Sequence, residues 1–133
     1  MTAELALAGR SIRVLEEPLF DDIDVGELEG QTVEDYRAWK HAHARSERFP
    51  GGESLDEAAR RYALGLRSLL KRSESVILVV AHEIPIRYAL NAVAGSQDLD
   101  APTHAIPNAR PYLFDDASLE RAASRIEELT PLS

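Results

Sequence analysis

Helical spacing of apolar residues is the main pattern along the chain. The surest helix begins at the capping box of Ser54 and Glu57, after which Ala58, Tyr62 and Leu66 keep helical spacing to about Arg72. Similar signals predict four more helical segments: Thr2 to Ala8, Thr32 to Arg48, Ile86 to Ala94 with Pro85 at its first position, and Ser118 to about Leu129.

Three other stretches carry strand patterns. Val76 to Ala81 is a continuous apolar run, which is typical of a strand covered on both faces of a parallel sheet. Ser11 to Glu16 alternates, and Ala109 to Phe114 contains Pro111, which favours an edge position. The order of helices and strands predicts one α/β domain over residues 1–133, a layered fold with a mostly parallel sheet.

His82 follows the apolar run directly, at the predicted carboxyl edge of the sheet, where open α/β folds bind ligands. The helix predicted from Pro85 directs its free N–H groups to the same place, which favours a phosphate. A histidinium there can bind phosphate oxygens and stabilise charge during transfer. The alternative is that His82 only satisfies backbone groups at a strand end, and both interpretations stay open on the residues alone.

Metal binding is not predicted at His82. His82 and Glu83 begin like the zinc motif HExxH, but Ile86 occupies the place of the second histidine, and Pro85 breaks the helix that the motif requires. We therefore expect no metal and no cofactor.

Composition narrows the class of protein further. The formal net charge is −8, which argues against nucleic acid as a partner. The longest apolar runs are far shorter than the about 20 residues of a membrane span. The absence of cysteine suits a reducing compartment, so we expect a cytoplasmic protein that does not bind membranes.

Three separated motifs resemble the histidine phosphatase superfamily, the phosphoglycerate mutase-like phosphatases. They are DIDVGELEG at Asp22 to Gly30, FPGGES at Phe49 to Ser54, and VVAHEIPIR at Val79 to Arg87. They occur in the family's order, and the resemblance runs from Thr2 to about Phe114. It implies a three-layer α/β sandwich that here lacks the first strand and most of the first helices.

The resemblance also implies site residues. His82 matches the histidine that contacts the phosphoryl group without carrying it, and Asp22 stands at the position of the proton donor, with Asp21 and Asp24 as alternatives. Four further residues are predicted near the substrate: Glu53 and Ser54 at a helix start, Glu83 beside His82, and Asn108 at the rim.

One large part of the family pattern has no counterpart. Members open with an R-H-G strand that carries the nucleophilic histidine, and a second arginine follows in S-P-L-x-R-A-x-x-T-A-E. Here Thr2, Ala3 and Glu4 match only the end of that last motif. We therefore expect an N-terminally shortened chain that is nearly inert alone, since neither the nucleophile nor the two arginines can be matched.

The resemblance thus predicts a phosphomonoester hydrolase that acts through a phosphohistidine on small phosphorylated substrates. The alternatives are a non-catalytic phosphate-binding or interaction domain, and a phosphoglycerate mutase. The substrate itself cannot be read, because the helical insert at Thr32 to Arg48 has nothing distinctive. Loss of a central strand would expose the edge of Val76 to Ala81, so we also expect a homodimer or other self-association through that edge.

Overall fold

The computed structural model describes residues 13–131, and its regular elements are helical. Two 3₁₀ turns, Pro18–Phe20 and Gly26–Leu28, precede four α-helices. The helices are α1 at Val33–Ala42, α2 at Leu55–Leu70, α3 at Glu83–Val93 and α4 at Asp116–Leu129. The helix predicted at Thr2 to Ala8 lies outside the described residues. No helix of the described part is long and apolar enough to cross a membrane.

Local sequence signals account for where the helices begin. Ser54 caps α2 and forms the reciprocal capping box with Glu57, as predicted. Thr32 forms a second capping box with Asp35 at the start of α1. The cap of α4 is Asp115, three residues before the predicted start at Ser118, and its carboxylate accepts a hydrogen bond from the Ser118 amide at 2.8 Å.

Helix α1 ends six residues earlier than the predicted Arg48. Its C-cap, His43, adopts an extended backbone with φ −133° and ψ 152°. Because the chain leaves the helix before Arg45, this side chain can pair with Asp56 at 3.0 Å and with Asp100. Tertiary contacts therefore end this helix where local propensity alone would continue it.

The prediction of an α/β three-layer sandwich with a mostly parallel sheet is wrong for the described residues. Residues 13–131 contain no strand, and their one β-bridge joins Arg48 to Ser54. Val76–Ala81 and Ala109–Phe114 are irregular, as is the described part of Ser11–Glu16. A strand is defined by backbone hydrogen bonds to a neighbour, and an apolar run predicts burial without supplying that neighbour.

The core lies between α2, α3 and α4. Helix α4 packs against both α2 and α3, and the first 3₁₀ turn packs against α2. Tyr62, Tyr88 and Ile126 are the largest apolar side chains at the centre, and Phe49 is fully buried beside Trp39 with ring centroids 4.1 Å apart. This packing holds α3, and with it His82, in a fixed place.

Two central tyrosines give a matched test of the core. The buried Tyr62 hydroxyl has no hydrogen-bond partner among the described residues, whereas the Tyr88 hydroxyl donates to Asp100 at 2.7 Å. We expect Tyr62→Phe to keep or raise the free energy of unfolding, by up to about 1 kcal/mol, because it removes an unpaired polar group. Tyr88→Phe should lower that free energy by about 2 kcal/mol, since it removes a hydrogen bond to a carboxylate.

Thermal or urea unfolding of the two variants checks this expectation. A loss of more than 1 kcal/mol in Tyr62→Phe would mean that its hydroxyl is paired in solution.

Candidate functional site

The site is built around the beginning of α3. His82 is its N-cap, with φ −121° and ψ 170°, and its ring makes no capping hydrogen bond. The helix starts at Glu83, two residues before the predicted start, so Pro85 stands at the third helical position, where a missing N–H breaks no helical bond. The exposed His82 ring and the first amides of α3 are therefore both available to a ligand.

A cavity of about 300 Å³ opens beside His82. Its walls include Asp22, Glu83 and Asn108, so the structure brings together four of the six residues predicted as site residues. One water molecule occupies about 30 Å³ in the liquid, so the cavity is several times larger than a single water molecule. A phosphoryl group with its oxygens is of suitable size for this space.

Asp22 reaches the cavity from the acidic loop, residues 18–25, which comprises the first 3₁₀ turn and the connection to the second. One carboxylate oxygen accepts the Ile23 amide at 3.0 Å, and the side chain remains exposed. Asp24 instead accepts the Gly26 amide at 3.0 Å, and neither it nor Asp21 lines the cavity. Of the three acids considered for proton donation, only Asp22 faces this space.

The acidic loop is held by Arg61 of α2. Its guanidinium donates to the carbonyl oxygens of Asp21 at 2.8 Å, of Leu19 at 3.2 Å, and of Pro18 and Asp22 at 3.3 Å. Burial alone would lower the pKa of Arg61, but its hydrogen bond and charge interaction with Glu53 raise it. Arg61 therefore stays charged and fixes the loop that presents Asp22.

Glu53 and Ser54 do not line the cavity. Glu53 pairs with Arg61 and accepts the Asp24 amide at 3.0 Å, while the buried Ser54 caps α2. Both residues support the acidic loop and the helix behind it. Contact between them and a substrate stays a prediction.

Sequence reasoning missed one residue of the cavity lining and one buried polar residue on the helix that begins at the cavity. Arg110 lines the cavity, and Ala109 beside it has a left-handed backbone with φ 61°. Asn91, fully buried on α3, donates to the carbonyl oxygens of Leu99 at 2.7 Å and Ala101 at 3.0 Å. Asn91 could have been noticed in the sequence, because it is a lone asparagine among the apolar positions of α3. No local feature of the sequence distinguished Arg110.

The charges around the cavity are mixed. Asp22 and Glu83 contribute carboxylates, Arg110 contributes a fixed positive charge, and His82 can add another on protonation. Glu83 lies 3.8 Å from Arg87 on the next turn of α3, which partly offsets its charge. In the described range, no cluster of three or more metal-binding side chains occurs.

Comparison with known proteins gave one result. A family model described as the histidine phosphatase superfamily (branch 1) matches residues 1–125. No curated protein and no solved structure matches the chain. Because the family model covers nearly the whole sequence, and the cavity gathers residues from two of the family's motifs, the chain belongs to the histidine phosphatase superfamily.

Proposed function

We propose that the chain binds the phosphoryl group of a small phosphorylated molecule in the cavity at His82, as part of phosphomonoester hydrolysis of the histidine phosphatase type. One observation carries this proposal. The His82 ring is exposed and unused at the start of an 11-residue helix, beside a cavity that Asp22 also lines.

Each group has a distinct task in this proposal. The protonated His82 ring donates to a phosphoryl oxygen and offsets its negative charge. The first amides of α3 supply further donors with the favourable end of the helix dipole. Asp22, in its protonated form, would deliver a proton to the leaving oxygen when the ester bond breaks.

Turnover needs a nucleophile in addition. The sequence has four histidines, and only His82 lines the cavity. The His43 ring stacks on Trp39 with centroids 4.0 Å apart, and His104 lies against Asn91 with 3.0 Å between Nδ1 and Oδ1. This chain alone should therefore bind phosphate yet hydrolyse esters very slowly, which also favours the second candidate, a non-catalytic phosphate-binding domain.

Phosphate binding and turnover are tested together on the full chain. We expect calorimetric binding of inorganic phosphate, and hydrolysis of p-nitrophenyl phosphate close to the rate in buffer. His82→Gln should weaken phosphate binding about tenfold or more, because it removes a charge-assisted hydrogen bond. His41→Gln is the matched control, since His41 is exposed on α1 away from the cavity.

Equal phosphate affinity in His82→Gln and the parent chain would contradict the proposed binding site. A different outcome is that the parent chain hydrolyses the ester at a substantial rate that is lost in His82→Ala. That result would contradict the expected slow hydrolysis and would give His82 a direct role in the chemistry.

We also propose that the chain self-associates through the apolar segment, residues Val76–Val80. Three of its side chains are strongly exposed: Val76 at 89%, Leu78 at 71% and Val80 at 52%. The segment carries no charge, and its backbone groups have no backbone partners within residues 13–131. Two copies can therefore pair along it without opposing like charges, which makes a second copy of this chain the expected partner.

A further inference from the structure

Among the described residues that line the cavity, Arg110 is the one arginine, and none is a lysine. Arg110 lines the same space as His82 and Asn108, and its guanidinium brings a positive charge to that space. In the described part of the chain it forms no ion pair with a carboxylate, unlike Arg45, Arg61 and Arg67. A guanidinium that is already exposed and unpaired can bind an anion without first breaking an internal contact.

The backbone around Arg110 is constrained on both sides. Ala109 has φ 61°, a conformation that is uncommon without glycine and that concentrates at binding sites. Pro111 follows and disfavours helical geometry at Arg110. Both constraints act on the stretch that also carries Asn108 into the cavity wall.

The Arg110 side chain is also supported. Its guanidinium carbon lies 5.6 Å from the centre of the Tyr112 ring, within the range of a cation–π contact. The Tyr112 hydroxyl donates to the Ala105 carbonyl at 3.2 Å, which ties the ring to the other end of the same loop. This support limits the side-chain freedom that Arg110 would lose on binding a ligand.

The cavity needs such a cation. Asp22 and Glu83 both line it, and their carboxylates repel a phosphate dianion. A single histidine, even when protonated, carries one positive charge and does not offset two carboxylates. An arginine offers two parallel N–H donors that match two phosphate oxygens.

We propose that Arg110 binds the phosphate oxygens of the ligand together with His82, and that its fixed charge determines how strongly the cavity prefers the terminal dianion of a phosphomonoester over a phosphodiester. This inference rests on the proposed function, because it assumes that the His82 cavity is the phosphate site. Arg110 supplies the fixed charge, and His82 with the start of α3 supplies the remaining donors. A diester carries a single negative charge and a second substituent in place of one free oxygen, so it gains less from this arrangement.

The test is a calorimetric titration of the full chain with phenyl phosphate and with diphenyl phosphate. The parent chain should bind the monoester at least about tenfold more tightly than the diester. Arg110→Gln should weaken monoester binding about tenfold or more and reduce this preference, whereas Arg110→Lys should retain part of it. Arg121→Gln is the control, because Arg121 is exposed on α4, forms no carboxylate ion pair within the described range and does not line the cavity.

The outcomes separate the two proposals. If His82→Gln weakens monoester binding and Arg110→Gln does not, the role of Arg110 is wrong while the proposed function stands. If the parent chain binds no monoester, both proposals are wrong. Circular dichroism melting of the Arg110 variants should match that of the parent chain, because the residue is exposed in a loop.

Discussion

Replacing Leu78 with aspartate is expected to convert a self-associating chain into a monomer. Leu78 lies at the centre of the apolar segment, and its side chain is 71% exposed in the single chain. In a paired assembly that side chain would be buried against the second copy, and burial of an unpaired carboxylate there is strongly unfavourable. Size-exclusion chromatography with light scattering over a range of protein concentrations measures the change.

Leu64→Asp is the matched control for this experiment. Leu64 is a comparably exposed leucine, at 59%, but it lies on α2 rather than in the apolar segment. We expect the control to associate like the parent chain. A parent chain that remains monomeric at every concentration, with normal solubility, would overturn the proposed self-association.

Gly52→Ala should cost about 3 kcal/mol of unfolding free energy, because the added methyl group meets backbone on two sides. A Cβ at Gly52 would overlap the Asp24 carbonyl oxygen and would lie 2.8 Å from the Gly26 nitrogen. Neither atom can rotate away as a side chain would. The substitution also pushes on the acidic loop, so phosphate binding should weaken together with stability.

Gly30→Ala separates this steric effect from backbone strain. Gly30 has φ 83°, and a Cβ there would meet nothing within 4 Å. Its replacement should cost only about 1 kcal/mol, the strain of a left-handed alanine. Urea unfolding of both variants gives the comparison, and equal midpoints for Gly52→Ala and the parent chain would show that the loops are not packed as described.

Within residues 13–131, local signals predicted the four α-helices but placed strands where none form. The capping box of Ser54 and Glu57 lies within one turn, so the sequence alone locates the start of α2. The apolar run Val76–Ala81 gave an equally clear pattern, yet the structure leaves the side chains of its first five residues exposed. Whether such a run becomes a strand depends on a partner distant in sequence, which its own residues do not specify.

The residues of the candidate site also differ in how far the sequence alone could predict them. His82 and Asp22 were predicted from motifs, and Asn108 from its place just before the last predicted strand; all three line one cavity. Arg110 could not be predicted, because its position depends on the left-handed turn at Ala109 and on contact with Tyr112. The support that Asn91 gives the loop at Leu99 to Ala101 likewise depends on folding that brings these residues together.

The four carbonyl oxygens that converge on Arg61 have a thermodynamic consequence for recognition. They couple the acidic loop to α2, so the wall that carries Asp22 is ordered before any ligand arrives. Little conformational entropy is then lost at that wall on association, and more of the favourable contact energy remains as affinity.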